Sequence, residues 1–227
     1  MGIGITERTG RDRLLLRVII LCVGLIIAHF GVTLFLLADL GSDPFNVFIQ
    51  GLFKTVSARF PSPVITHGRV HMAVSLLIIL ILLAVDRSYI RIGTVICMFC
   101  GGPIIDVFTK LLTPLALGEV PLAVRILINC LGCVILAYGM TVVIRSEAGT
   151  GPNDLVAVVI SDKLKKRFSP VRIIVDVCFA GLGYMLGGTL GIGTVICAFL
   201  VGTVAGVFMP INERLIAKIL SRAPRRP

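Results

Sequence analysis

Two short stretches carry the residue types best suited to holding a polar solute: Gly41-Ser42-Asp43-Pro44-Phe45-Asn46 and Gly149-Thr150-Gly151-Pro152-Asn153-Asp154. Glycine permits a tight turn and proline suits the first turn of a helix. The unpaired N–H groups and positive dipole end of such a helix can hold an anion or a polar group. Ser42, Asp43, Pro44 and Asn46, and Thr150, Pro152, Asn153 and Asp154, are therefore candidate substrate-binding residues. The plain alternative is capping, by Ser42 or Asp43 at the first helix and by Thr150 at the second.

Asp106 is the ionisable residue most clearly embedded in an apolar stretch, in the run from Ile92 to Leu112. A carboxylate at the centre of a membrane helix costs about 2.5–3.5 kcal/mol on insertion scales, so it should face the protein interior and pair or stay protonated. It could relay a proton or cation, or simply pair with Lys110 at i+4. Gly202 and Gly206, the matching positions in the second half of the chain, form a G-x-x-x-G face suited to close helix packing. His29 and Asn129 are candidate intramembrane polar groups, with interhelical hydrogen bonding as the ordinary role. Asp176 has Arg172 one turn before it, which predicts a local ion pair near a cytoplasmic helix end. Arg17 and Arg125 are explained by snorkelling and topology.

Cys97-x-x-Cys100 and Cys130-x-x-Cys133 have metal-like spacing. Yet all seven cysteines lie in apolar runs with no charged or His-rich surroundings, so neither a metal nor a disulfide framework is expected. There is no phosphate-cradling Walker string, no H-E-x-x-H and no nucleophile elbow. Nothing places a base beside a nucleophile, so no catalytic residues, enzyme activity or cofactor are expected.

These groups must be positioned by membrane helices. The 227 residues are 56% hydrophobic and only 15% charged, with a mean hydropathy of +1.02, which excludes a water-soluble fold. The arginines before the first apolar run resemble a signal-peptide n-region, but that run is too long for one and no cleavage site follows. The net charge of +10 comes from basic residues between and around apolar segments, where they orient helices rather than bind nucleic acid.

The sequence also repeats. Arg17, Ile20, Cys22, Gly24, Ile27, Gly31, Thr33, Gly41 and Pro44 recur 108 positions later, and the run Ile92 to Cys97 recurs unchanged as Ile192 to Cys197. The expected fold is thus an all-α membrane protein of two homologous halves, residues 1–112 and 113–227. Each half holds four apolar segments: Leu14 to Ala38, Pro44 to Phe60, Val70 to Val85 and Ile92 to Leu112, then Val120 to Ile144, Pro152 to Lys165, Val171 to Leu186 and Ile192 to Pro210. The second and sixth are short enough to be re-entrant, since a crossing needs roughly 20 residues. If all eight cross from a cytoplasmic N-terminus, 19 of the 22 lysines and arginines lie inside, as the positive-inside rule prefers. Eight crossings make the halves parallel, and three per half would make them inverted.

The G-x-x-P turns, the run Gly191 to Ile196 and the segment Gly102-Pro103-Ile104-Ile105-Asp106-Val107-Phe108 resemble the YczE/YyaS-like group of bacterial membrane proteins, related to the YitT-type proteins. The resemblance runs from about Arg17 to Pro210 and implies a multi-pass protein of the bacterial cytoplasmic membrane. It carries over no catalytic residues, and the second half departs from it with Gly202, Thr203 and Gly206. Pseudo-symmetry, paired short helices and a buried carboxylate together point to a small-solute transporter, or the membrane-embedded substrate-binding part of one. The rival is a scaffold or accessory protein without transport. The expected surroundings are the lipid bilayer and an unknown small solute, with room for a homo-oligomer or a membrane partner.

Overall fold

The computed structural model describes residues 3–41, 43–60, 65 and 67–222, and its regular structure is helical. Eight α-helices follow in order: α1 (Ile3–Leu37), α2 (Pro44–Arg59), α3 (His67–Val85), α4 (Ile92–Leu112), α5 (Leu122–Arg145), α6 (Pro152–Leu164), α7 (Phe168–Met185) and α8 (Ile192–Arg222). Among the described residues, five apolar stretches are long enough to cross a membrane, in α1, α4, α5, α7 and α8, and Ala73–Val85 of α3 is a shorter apolar helix. The helices begin and end within a few residues of the positions read from hydropathy, except that α1 extends back to Ile3 and α8 runs past Pro210. A helix survives the hydrogen bond that an internal proline removes when its faces are packed, and Met209, Asn212 and Ile216 around Pro210 are buried.

The centre of the bundle is the crossing of α1 and α5. A Cβ added at Gly24, Gly31, Gly132 or Gly139 would lie within 3.0 Å of backbone on the facing helix, Gly24 facing Gly139 and Gly31 facing Gly132. Only glycine permits so close an approach. Residue numbers fall along α5 as they rise along α1, so the two helices are antiparallel. Phe35 packs beside Gly132, while Ala137 and Met140 pack with Cys197, Val201 and Ala205 of α8; all three of Phe35, Ala137 and Met140 are almost fully buried.

Each central helix carries a parallel flanking helix. Along α1, Gly93 of α4 meets Leu21 and Gly101 meets His29, and the rings of Phe30 and Phe108 stack edge-on at 5.2 Å. Along α5, Gly193 of α8 meets Asn129, Tyr138 and Phe208 stack edge-on at 5.1 Å, and Asn212 Nδ2 donates to Thr141 Oγ1 at 2.7 Å. The Gly202 and Gly206 face of α8 packs on Ser169 and Ile173 of α7, while the matching Gly102 of α4 has open space beside it. The short α2 runs alongside α7, from the ring contact of Phe45 with Phe179 at 5.2 Å to the bond from Lys54 Nζ to the Gly187 carbonyl at 2.9 Å. The short α6 likewise follows α3, from Leu155 and Val159 against Leu82 to Lys163 on Asp86 at 3.0 Å.

The antiparallel pair overturns the expectation of eight crossings with parallel halves. If α1 to α4 all crossed, α5 would enter on the same side as α1 and run with it. The α2 and α6 helices have 16 and 13 residues, or about 24 and 20 Å at 1.5 Å per residue, short of a hydrocarbon core of about 30 Å.

The crossing makes a direct prediction. Gly31→Ala and Gly139→Ala should each cost about 1–3 kcal/mol or more by overpacking, read as lost monodisperse protein and a lower Tm in detergent. Gly102→Ala, with nothing near its added methyl group, should leave both unchanged; equal damage at all three sites would show that the crossing is not the tight point.

Candidate functional site

The chain makes the same turn after α1 and after α5. Asp39 and Glu147 take left-handed backbone angles, φ 51° and 56°, and Gly41 and Gly149 follow at φ 122° and 140°. Left-handed backbone disfavours side chains with a Cβ by roughly 1–2 kcal/mol, so two acidic residues there call for a reason in their side chains. The reason is an arginine from the opposite central helix. Arg17 pairs with Glu147 and reaches the Ser146 carbonyl at 3.4 Å. Arg125 pairs with Asp39 at 3.5 Å and donates to the Ala38 carbonyl at 2.8 Å. The hydrogen bond from Arg17 is the main cause of a lowered Glu147 pKa. That pair is therefore intact at neutral pH and is lost only as acid protonates Glu147 below the ordinary carboxylate range.

Each turn is also clasped to the start of a flanking helix. Gly93 N donates to the Ala148 carbonyl and Gly193 N to the Leu40 carbonyl, both at 2.8 Å. The turn after α1 thus holds α8, and the turn after α5 holds α4.

From these turns the short helices start at a charged, buried centre. Asp43 caps α2, accepting from Asn46 N at 3.2 Å and from Asn46 Nδ2 at 2.5 Å. Asp154, in the first turn of α6, accepts from Arg172 Nη1 at 2.5 Å. Arg172 Nε also donates to Asp176 at 2.8 Å, with the two side chains only 8% and 2% exposed. Asp43 lies within electrostatic reach of Asp176. Asp176 is the ninth of the 18 residues of α7, so Arg172 and three carboxylates gather half-way along the bundle. The local pair of Arg172 with Asp176 is as the sequence predicts, but it lies mid-helix rather than near an end, because α7 begins earlier than hydropathy suggests.

The other sequence candidates fall into separate places. Ser42 and the side chain of Asp106 lie outside the described residues. Pro44 and Pro152 are buried at the first turns of α2 and α6. Asn153 is half-buried in the first turn of α6. Thr150 is buried without capping α6, where Gly151 occupies the cap position, and its Oγ1 has no partner among the described residues. His29 donates through Nδ1 to the Leu25 carbonyl of its own helix at 2.7 Å, which assigns the proton to that nitrogen because a carbonyl can only accept. Its interhelical role is packing against Gly101. Asn129 is fully buried beneath Gly193, far along the sequence from the charged centre. Cys97 is buried while Cys100 is exposed, and all seven thiols are free. Sequence reasoning missed Asp154 as a partner of Arg172 and missed the acids at Asp39 and Glu147.

Two cavities approach from opposite ends. One of about 830 Å³ opens beside Glu147, Gly149 and Thr150 and is walled by α6, the start of α7 and the later part of α8. The other, of about 480 Å³, opens beside Asp39, Gly41, Gln50 and Thr189. Their walls correspond: Glu147, Gly149 and Val158 of the first stand 108 positions after Asp39, Gly41 and Gln50 of the second.

Long apolar helices packed through glycine, with charges gathered inside, define a multi-pass α-helical membrane protein. Within that class, residues 15–210 match the model of the Family of unknown function (DUF6198), and the chain belongs to that family. It is 27% identical over 213 residues to "Uncharacterized membrane protein YczE" of Bacillus subtilis (strain 168), covering 93% of this chain and 94% of that one. It is 26% identical over 196 residues to an "Uncharacterized protein" of Haemophilus influenzae, covering 86% and 84%. It is 25% identical over 193 residues to "Uncharacterized protein YyaS" of Bacillus subtilis, covering 85% and 92%. No solved structure matches.

The charged centre predicts a non-additive mutant pair. Arg172→Met leaves buried carboxylates unpaired and should destabilise by about 3–5 kcal/mol, whereas removing both members of a buried pair costs far less. Thermal unfolding in detergent should therefore show Arg172→Met with Asp176→Asn more stable than Arg172→Met alone; a double variant worse than either single would contradict the pairing.

Proposed function

We propose that the chain is a small-solute transporter of the bacterial cytoplasmic membrane, built from two inverted repeats, residues 1–112 and 113–227, that move against each other about the α1–α5 crossing. The observation that carries this reading is the pair of short helices that begin at one buried charged centre, each beside its own cavity at opposite ends. Short helices at matching places in two inverted halves are the arrangement in which transporters hold a solute near the bilayer midplane.

Matching contacts support the repeat: Arg17 with Glu147 and Arg125 with Asp39, Gly93 with Ala148 and Gly193 with Leu40, Phe30 with Phe108 and Tyr138 with Phe208. With six crossings and both termini cytoplasmic, only Lys54, Arg59, Arg69, Lys110 and Arg125 of the 22 basic residues lie outside, in keeping with the positive-inside rule. The larger cavity then faces the cytoplasm.

In this scheme the solute meets Asp43, Asn46, Asn153 and Asp154 at the helix starts, with Pro44, Thr150 and Pro152 shaping the turns. Arg172 and Asp176 set the charge there, and His29 and Asn129 are groups that movement can re-pair. The Arg17–Glu147 and Arg125–Asp39 pairs are the inner and outer latches. The work is movement, with no bond made or broken. A scaffold role is favoured by one observation: the Asp43 carboxylate already serves Asn46 and that of Asp154 serves Arg172, so each has a structural use.

Alternating access can be tested without knowing the solute. On a cysteine-free background, Arg17→Cys with Glu147→Cys should cross-link the inner latch and speed maleimide labelling of Gln50→Cys at the outer cavity. Cross-linking Arg125→Cys to Asp39→Cys should instead speed labelling of Val158→Cys at the inner cavity. A rigid scaffold would show no effect of either lock on the far cavity.

A further inference from the structure

The two cavities differ in charge. Among the described residues the outer wall has Asp39 as its charged residue, paired with Arg125, with Gln50 and Thr189 as polar neighbours. The inner wall carries four cations, Arg91, Arg145, Lys166 and Arg167, against two acids, Glu147 and Asp162. Glu147 is engaged by Arg17, and Asp162 lies within electrostatic reach of Tyr89. Arg145 is shared with Glu213, outside the wall, at 3.1 Å, and its Nε has no partner among the described residues. Lys166 and Arg167 have no carboxylate partner among the described residues.

The backbone adds to this excess. Arg167 is the N-cap of α7, and no side chain caps that 18-residue helix. Its free N–H groups and positive dipole end lie at Phe168 and Ser169, on the same wall. Thr150, whose hydroxyl is without a partner among the described residues, is also on that wall. Positive charge on a cytoplasmic face has an ordinary role in orientation, and that role does not require the cations to line a cavity beside an uncapped helix.

We propose that the inner cavity is an anion site, which takes a phosphate or carboxylate group between Lys166, Arg167, Arg145 and the start of α7. Charge-assisted hydrogen bonds from guanidinium, ammonium and backbone N–H are the usual means of holding such groups. Its volume of about 830 Å³ admits a small solute carrying the anion. The inference deepens the transport reading by naming the solute class, and rests on that reading only for the solute's movement, not for its binding.

The test is equilibrium binding of radiolabelled inorganic phosphate to the full chain in nanodiscs of zwitterionic phosphatidylcholine, repeated with phosphatidylglycerol added. Saturable phosphate binding that weakens at least about tenfold in Lys166→Gln/Arg167→Gln supports the site with a free solute as its source. An increase in Tm caused by phosphatidylglycerol and lost in the same variant supports the site with a lipid headgroup as its source. Lys165→Gln removes one positive charge from the same exposed segment, outside the cavity wall, and should change neither. Absence of both effects, or equal loss in Lys165→Gln, overturns the proposal. If that happens while each latch still controls the far cavity, the anion site fails and the transport reading stands.

Discussion

The whole arrangement depends on the backbone-to-backbone approach of α1 and α5 at Gly24, Gly31, Gly132 and Gly139. In a bilayer, apolar side chains gain little by leaving lipid for protein, so helix association relies on close packing and interhelical hydrogen bonds. Four glycines bring the backbones of the two helices together, with the side chains of Val142 and Phe35 at the edges of the contact. Its register, Gly24 on Gly139 and Gly31 on Gly132, makes the two helices antiparallel. It puts Arg17 beside the turn after α5 and Arg125 beside the turn after α1.

Everything else hangs on those two turns. Each carries an acidic residue in left-handed backbone, held by the arginine opposite, and each presents a carbonyl that receives the first amide of a flanking helix. The turn also sets where the next short helix begins, which brings Asp43 and Asp154 towards Arg172 and Asp176. In the proposed scheme a few contacts of moderate strength at each end would govern access to one charged centre. Such contacts are suited to breaking and remaking, whereas the glycine crossing between them is not. The proposed movement therefore pivots at the crossing and changes at the turns.

Much of this was legible in the sequence, but unevenly. Apolar run length gave the eight helices, and the recurrence of Gly24 and Gly31 as Gly132 and Gly139 marked the residues of the crossing. Direction was not legible from charge: eight crossings place 19 of the 22 basic residues inside and six place 17 there, a difference too small to decide. The latches were half legible. Arg17 and Arg125 match as identities, while Asp39 and Glu147 match only as acid for acid in left-handed turns, which no identity search rewards. The pair of Asp154 with Arg172 joins residues 18 positions apart on two helices, where periodicity says nothing. Asp154 read alone looked like a ligand for solute, and its arginine became visible only with α7 packed beside α6.

The most direct measurement of the central claim is the sidedness of the two latch acids, whose side chains are 88% and 61% exposed. Asp39→Cys and Glu147→Cys would each be placed on a cysteine-free background and treated in intact cells with a membrane-impermeant maleimide. Antiparallel α1 and α5 predict labelling of Asp39→Cys from outside, with Glu147→Cys protected until the membrane is permeabilised. Labelling of both from the same side would mean that α1 and α5 run in the same direction, and would contradict the account at its base.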